Sequence, residues 1–189
     1  MSVLKVNNIQ NIATDGIIVD GVVQPAALPS GSVLQVVSTT LTANFSAAIG
    51  PGGNAAITGL SATITPSSTS SKILCFSQVT MSNSRGELQS VGIFFRRGGT
   101  AIGVGDASGS RSRGSSAFKI NTGDGDSVNS IGFNFLDSPS STSALTYDIA
   151  LLANEDGTYT YNVNRTRNNT NDARGVQGAS TITLMEIAG

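Results

Sequence analysis

The sequence predicts an all-β protein: an antiparallel β-sandwich of the jelly-roll type, preceded by an extended N-terminal arm. Runs of alternating apolar and polar residues recur along the chain, and no run has the spacing of an amphipathic helix. Segments rich in Gly, Ser and Asp separate these runs. The 189 residues include 26 Ser, 19 Thr and 22 Gly, and only 12% are charged. Such a composition is typical of short strands joined by small polar loops.

The strand pattern is clear enough to place most of the strands. The longest run is apolar at Ile73, Cys75, Val79 and Met81. Eight to ten short strands separated by turns are typical of a two-sheet sandwich. The predicted strands lie at residues 33–37, 62–64, 73–81, 91–95, 131–135, 145–151, 159–163 and 182–187.

One turn carries a specific prediction about pairing. Asp156-Gly157 lies between the strands predicted at 145–151 and 159–163. An Asp-Gly pair between two alternating runs is the strongest short-range signal for a β-hairpin. The sequence therefore predicts that these two strands pair with each other.

The last eleven residues form a strand-like run. Ile182 and Leu184 share one face, and the apolar positions then change to Met185 and Ile187. This change predicts either a bulge or burial on both faces. Chain ends fray unless they are held in place. We expect the run, whose one charge is Glu186, to be the last strand of the sandwich, close to a contact between subunits.

The first thirty residues differ from the rest. They contain short apolar runs at 4–9 and 16–23, followed by Pro25 and Pro29. β segments with few charges readily pair with another chain. We predict that residues 1–30 form an attachment or stalk segment and that residues 31–189 form the head domain.

Composition excludes several functional classes. The chain has no His, so neither a Ser-His-Asp nor a Cys-His catalytic arrangement can form, nor can a His-ligated metal site. Cys75 is the one cysteine, and we expect it to be buried in a strand. A net charge of -1 gives no basic surface for nucleic acid. No cofactor is predicted.

Nothing in the sequence indicates a membrane segment. No apolar run approaches the ~18 residues of a membrane-spanning helix, so no membrane insertion is expected. The opening residues lack the basic and apolar regions of a secretory signal. We therefore expect synthesis and folding in a cytoplasm.

Two aspartates are candidate metal ligands. Residues 122–127 include Asp124 and Asp126 and resemble a fragment of a calcium-binding loop. The third acidic position and the downstream Glu of that loop are missing. An Asp-Gly turn between strands is the commoner interpretation of such a segment.

Two polar loops contain candidate ligand-binding residues. Arg111 and Arg113 lie in a Gly/Ser-rich segment and could bind a phosphate or an acidic sugar. The segment 165–172 is the most polar in the chain, and its amides and guanidinium groups could bind sugar hydroxyls. Solvated loops without a ligand are the alternative for both. The candidates in the second loop are Arg165, Arg167, Asn168 and Asn169.

No catalytic residue is predicted, and we expect the protein not to be an enzyme. A sugar-cleaving site needs two carboxylates held roughly 5–9.5 Å apart. The acidic residues are scattered, and their spacing gives no reason to place two of them together. The ones that folding could bring together are Asp106, Asp124, Asp126 and Asp148.

Four stretches of the sequence share features with one group of proteins. The stretches are Ser2-Val3-Leu4-Lys5-Val6-Asn7-Asn8-Ile9-Gln10, residues 60–74 with Thr65-Pro66-Ser67-Ser68, residues 136–147 with Asp137-Ser138-Pro139, and Ser180-Thr181-Ile182-Thr183-Leu184-Met185-Glu186-Ile187. In these stretches the chain resembles tail-fibre and other virion structural proteins of tailed bacteriophages, especially marine and cyanobacterial phages. The likeness extends from end to end in order and rough spacing, except for residues 85–130.

The resemblance implies a homotrimeric fibre or appendage of the virion, made in the host cytoplasm and exposed on the assembled particle. The N-terminal arm would attach to other virion proteins, and the head would bind a host-surface glycan or protein. Recognition is expected in the polar loops, because loops on a rigid sandwich commonly bind ligands. Two alternatives stay open. One is a capsid or tail decoration or adaptor protein without a receptor role, and the other is a carbohydrate-acting enzyme.

Overall fold

The computed structural model describes residues 18–19, 22–23, 28–83, 89–120 and 125–189. These residues form an all-β structure, as predicted. The strands are β1 (Ile18–Val19), β2 (Val22–Val23), β3 (Val33–Leu41), β4 (Phe45–Ile49), β5 (Asn54–Ile64), β6 (Lys72–Asn83), β7 (Gln89–Arg97), β8 (Thr100–Ile102), β9 (Ser116–Ile120), β10 (Asn129–Asp137), β11 (Leu145–Ala153), β12 (Tyr159–Val163) and β13 (Ser180–Ile187).

The first sheet, sheet 1, has four rows of strands. Strand β6 pairs with β10 along one edge and with both β13 and β12 along the other. Met81 shows the arrangement, because it lies opposite Asn129 of β10 and Val163 of β12. Strand β13 then pairs with β3, and β12 pairs with β4. The rows are therefore β3 with β4, β13 with β12, β6, and β10.

The second sheet, sheet 2, also has four rows. Strand β11 pairs with β5 on one side and with β7 on the other. Strand β7 pairs on its far side with β8 and β9, which share one row. All of these pairings are antiparallel. The rows of sheet 2 are β5, β11, β7, and β8 with β9.

The strand order identifies the fold. When the eight rows are numbered along the chain, sheet 1 has the order 1-8-3-6 and sheet 2 has the order 2-7-4-5. This is the order of a jelly roll: consecutive rows lie in alternate, facing sheets, except that rows 4 and 5 are neighbours in sheet 2. The predicted jelly-roll sandwich is confirmed.

The predicted hairpin at Asp156-Gly157 is wrong. Strand β11 belongs to sheet 2 and β12 to sheet 1, so the intervening segment crosses between the sheets. Ile149 and Tyr161 lie in the same buried cluster, facing it from opposite sheets. The alternation of apolar residues reports which side of a strand faces the core. It does not report whether two consecutive strands pair side by side or face each other.

The core lies between the two sheets. Both contribute inward-facing side chains that are fully buried, and the largest are Tyr147, Tyr161 and Phe95. Phe95 of sheet 2 also contacts Phe133 of sheet 1, with ring centroids 4.5 Å apart. Burial of these large side chains is the main favourable contribution to folding.

Strand β13 is the last strand of the sandwich, as predicted, and it is paired along both edges. The predicted change of face is wrong. Burial alternates strictly to the end, so that Glu186 points inward and Met185 and Ile187 point outward. The irregularity lies in the partner strand instead, where Leu34 of β3 is the extra residue opposite Glu186 and Ile187.

Cys75 lies in β6 and is fully buried, as predicted. Burial, followed by the negative charge of Asp137, raises the pKa of its thiol to about 12. Because the thiolate is the reactive form, we expect no reaction with a maleimide or disulfide reagent in the native protein. We expect one thiol per chain to react in denaturant. Fast labelling under native conditions would show that this end of the sandwich opens.

The predicted arm lies largely outside the described residues. Of residues 1–30, the structure describes 18–19, 22–23 and 28–30, and β1 pairs with β2. Gly31 and Ser32 exchange backbone hydrogen bonds with Ala188 at 2.8 Å each. The chain therefore enters the head beside the end of β13. The boundary between arm and head stays a prediction.

Candidate recognition surface

The β12–β13 loop, residues 164–179, is a long polar segment of the described part of the head. Strands β12 and β13 lie in the same row of sheet 1, so the loop leaves the sheet at the end of β12 and returns to it at the start of β13. Asn164 begins it with a φ of 62°, a left-handed conformation that Asn tolerates better than most residues. The buried Asn164 amide donates to the carbonyls of Leu41 (2.7 Å) and Ala43 (3.1 Å) and accepts from the Ser180 hydroxyl (2.7 Å). Both ends of the loop are thereby fixed to the sandwich.

Arg165 has a structural role in this loop. Its guanidinium donates to the side-chain oxygens of Asn162 (2.7 Å) and Ser46 (3.1 and 3.3 Å). These contacts link the loop to β12 and β4. The structure therefore places this candidate binding residue at the base of the loop.

Asn168 and Asp126, predicted separately, lie together. The Asn168 side chain donates to the Asp126 carboxylate at 3.0 Å, and its backbone N–H donates to the Gly125 carbonyl at 3.0 Å. The segment before β10 and the β12–β13 loop are thus joined. Asp124 lies outside the described residues. In the part of the chain that is described, no three His, Cys, Asp or Glu residues are grouped to hold a metal ion.

Asn169 lines an open pocket of about 400 Å³ in the same loop. Most of the lining is uncharged and polar. The one carboxylate, Asp172, accepts hydrogen bonds from the side chain and backbone of Arg174, both at 2.9 Å. The Arg174 side chain, above all, lowers the pKa of Asp172. The pocket is lined by Asn44, Thr166, Asn169, Thr170, Asn171, Asp172, Gly175, Val176 and Gln177.

A shallow groove of about 340 Å³ lies on the outer face of sheet 1. Phe76 is 39% exposed there, and Gly132 leaves open space because it has no side chain. Sequence reasoning missed this groove. The available signal was Phe76 itself, an aromatic residue at the outward-facing phase of an alternating strand. The groove is lined by Phe76, Ser77, Gln78, Gly132, Phe133, Asn134, Thr181 and Thr183.

Arg111 and Arg113 lie over the other sheet. Their loop, residues 103–115, covers part of the outer face of sheet 2, where Val104 packs against a small buried apolar cluster. The Arg113 guanidinium donates to the Gly105 carbonyl at 2.6 Å within the loop. The structure therefore does not bring these arginines together with the Arg165–Asn169 group. Arg167 lies in that second group and has interactions of its own.

Two of the candidate acidic residues, Asp148 and Asp126, lie on different sheets. Asp148 forms a two-pronged ion pair with Arg96 (2.7 and 2.8 Å) between neighbouring strands of sheet 2. Asp126 lies beside the β12–β13 loop of sheet 1. The described residues also include no helix that could span a membrane.

No protein-family model and no curated protein sequence matches the chain. Among the solved structures that show similarity are three from infectious bursal disease virus. The structures of the Gx and Gt strains are 13% and 15% identical, cover 85% and 93% of this chain, and give TM-scores of 0.40 and 0.41. The VP2 subviral particle is 16% identical, covers 82% and gives 0.33. This chain spans only 38–42% of the length of those viral chains.

Proposed function

We propose that the protein is a virion structural protein of a tailed bacteriophage: a homotrimeric tail fibre or appendage whose head binds the host surface. The observation that supports binding is the β12–β13 loop, which presents a neutral polar pocket on a rigid jelly roll. Jelly rolls occur in viral capsid and lectin domains. Because a fold alone does not define a function, the proposal depends on the chemistry of this loop and on the phage-like sequence. The protein is not an enzyme in this proposal.

The pocket suits a glycan better than an ion or an apolar molecule. Amide and hydroxyl groups both donate and accept hydrogen bonds, as sugar hydroxyls do. Four amide side chains line the pocket, those of Asn44, Asn169, Asn171 and Gln177, and Thr170 adds a hydroxyl. Pairing with Arg174 occupies the one carboxylate. The ligand class that fits is a neutral surface glycan.

Replacing Asn171 with alanine tests this role. We expect glycan binding to weaken about tenfold, because one or two hydrogen bonds of about 1.4 kcal/mol in total are lost. The measurement is binding of the labelled full-length protein to an array of neutral and acidic bacterial oligosaccharides. The matched control is Asn54→Ala, an exposed Asn of β5 in the other sheet. Equal binding by the two variants, or preference for acidic glycans, would contradict the assignment.

A decoration or adaptor protein is the second candidate. It is favoured by exposed apolar side chains on the outer face of sheet 1, which a cementing protein would bury against its neighbours. Cryo-electron microscopy of the virion separates a tail fibre from a capsid decoration protein. A fibre or appendage head would appear only at the tail, whereas a capsid decoration protein would cover the shell in many copies.

A further inference from the structure

An apolar row crosses the outer face of sheet 1. Val36, Met185, Leu74 and Leu136 lie side by side in register, one from each row of the sheet. The two outermost side chains are the most accessible, since Val36 is 55% exposed and Leu136 46%. We call these four residues the apolar row. Phe76 lies next to Leu74 along β6 on the same face.

This face contains most of the exposed large apolar side chains of the described residues. There are five such side chains, and four lie here: Val33, Val36, Phe76 and Leu136. Single exposed apolar residues are ordinary, but a contiguous group indicates a contact surface. Scattered apolar residues on a surface need no explanation, but four on one face indicate that something packs against it.

The outer face of sheet 2 also has apolar residues, but a loop of the chain covers them. Phe94, Ala150 and Leu152 also point outward from their sheet, but they are buried, and Val104 of the 103–115 loop packs against them. The chain thus covers the outward apolar residues of one sheet with its own loop. Among the described residues, no loop buries Val36 and Leu136 of the apolar row on the other sheet.

The charge of the face restricts what can cover it. Among the described outward-facing strand residues of sheet 1, Lys72 is the one charged side chain, and it lies at the margin. The Arg165 guanidinium adds a charge at the far end of the face, where it hydrogen-bonds to Ser46 and Asn162. Beyond the apolar row, the next outward-facing positions of β3 and β13 are polar: Ser38 lies opposite Thr183, and Thr40 lies opposite Thr181. A charged partner would lose hydration here without gaining an ion pair. The complementary surface must be as poor in charge as this one.

We propose that the apolar row is the surface through which copies of this chain pack against one another in the homotrimer. A second copy has the required surface, because every copy carries this charge-poor face, and around a three-fold axis one part of it would contact a different part of the next copy. The point at which the chain enters the head agrees with this contact. The chain enters β3 at Val33, which pairs with Ile187 beside the row. Copies joined here would bring their N-terminal segments to one end, as a stalk requires. The inference rests on the proposed trimer and identifies its contact face.

The test is the oligomeric state of the full chain with Val36 and Leu136 both replaced by lysine. Sedimentation velocity and light scattering would be measured from 1 to 100 μM. We expect the parent to be a trimer and the dissociation constant of the double variant to rise at least about 100-fold. Val36→Ser with Leu136→Ser is the milder pair, in case the lysines impair folding. Val176→Ser is the matched control, since Val176 is 49% exposed but lies in the β12–β13 loop.

Each outcome is decisive. If the lysine variant is monomeric with a native circular dichroism spectrum and the control is trimeric, the result supports the apolar row as the contact between copies. A lysine variant that stays trimeric overturns the proposed contact face, but it does not contradict the trimer or the glycan pocket. A parent that is monomeric at 100 μM overturns both the face and the trimer. In that case the array experiment still tests the pocket.

Discussion

Replacing Glu186 with alanine is expected to destabilise the protein by about 3–5 kcal/mol. Glu186 is fully buried at the inner face of β13. One carboxylate oxygen accepts from the Ser67 N–H, the Ser67 hydroxyl and the Ser71 hydroxyl, each at 2.7 Å. The other accepts from the Gln35 amide at 2.5 Å. Alanine would leave these donors without an acceptor in a site with little access to water.

The same residue makes stability depend on pH. Burial opposes ionisation of Glu186, but the hydrogen bonds from Gln35, Ser67 and Ser71 outweigh it and lower the pKa below its ordinary 4.5. A carboxyl group with a lowered folded-state pKa stabilises the fold fully above its unfolded-state pKa. That contribution is lost as the pH falls through the lower folded-state value. We expect the free energy of unfolding to decline below about pH 4.5.

Glu186→Gln separates the charge from the shape of the side chain. It keeps one acceptor oxygen and does not titrate, so its free energy of unfolding should be lower at pH 7 and less dependent on pH below 4.5. Urea denaturation at fixed protein concentration measures both. Asp106→Asn is the control, because that residue is exposed in the 103–115 loop, and we expect no measurable change. If the free energy of unfolding of Glu186→Gln fell below pH 4.5 as steeply as that of the parent, the pH dependence would come from other carboxylates.

The strands of this fold could be predicted from the sequence because alternation is a local property. The identity of Glu186 as a buried carboxylate could not. The sequence shows a lone charge in an apolar strand, but the donors that stabilise it, Ser67 and Ser71, are more than a hundred residues away. The alternation was instead interpreted as a change of face at Met185. The interpretation failed because a hydrogen-bonded carboxylate can occupy a core position.

The candidate recognition surface was predicted in part, for a similar reason. The polar segment 165–172 does form an exposed loop with a pocket, and polarity identified it. Its internal roles depend on contacts between distant parts of the chain. Arg165 is engaged by Ser46, and Asn168 by Asp126. Phe76 was predicted only as part of a strand, because one apolar residue in an outward phase is not distinguishable from ordinary surface composition.

Replacing Asp137 with alanine is expected to cost about 2–4 kcal/mol, because it removes a polar contact between the two sheets. Asp137 ends β10 of sheet 1, and one of its oxygens accepts from the Tyr147 hydroxyl (2.7 Å) and the Arg97 guanidinium (2.5 Å), both of sheet 2. Burial, then the hydrogen bond and charge of Asp137, raises the pKa of Tyr147. The tyrosine therefore stays a donor throughout the accessible pH range. Arg97 is 32% exposed, so water can hydrate its guanidinium and offset part of the loss of the Asp137 carboxylate.

Asp137 and Glu186 belong to one structural feature. Both lie opposite Ile73 of β6, in an inward-facing row that also includes Gln35. This row ends the apolar core, and its two carboxylates hydrogen-bond to different neighbours: sheet 2 on one side and the segment 65–71 on the other. Because the partners differ, we expect the Asp137 and Glu186 effects to add to within about 0.5 kcal/mol.

A double-mutant cycle of Asp137→Ala and Tyr147→Phe isolates the contact between the sheets. The two share a buried hydrogen bond, so we expect a coupling free energy of about 1–2 kcal/mol. Asp148→Ala is the matched control, since Asp148 pairs with Arg96 within one sheet and both side chains are about a fifth exposed. Its cost should be no more than about 1 kcal/mol. Equal costs for Asp137→Ala and Asp148→Ala, with no coupling to Tyr147, would mean that apolar burial alone holds the sheets together at this end.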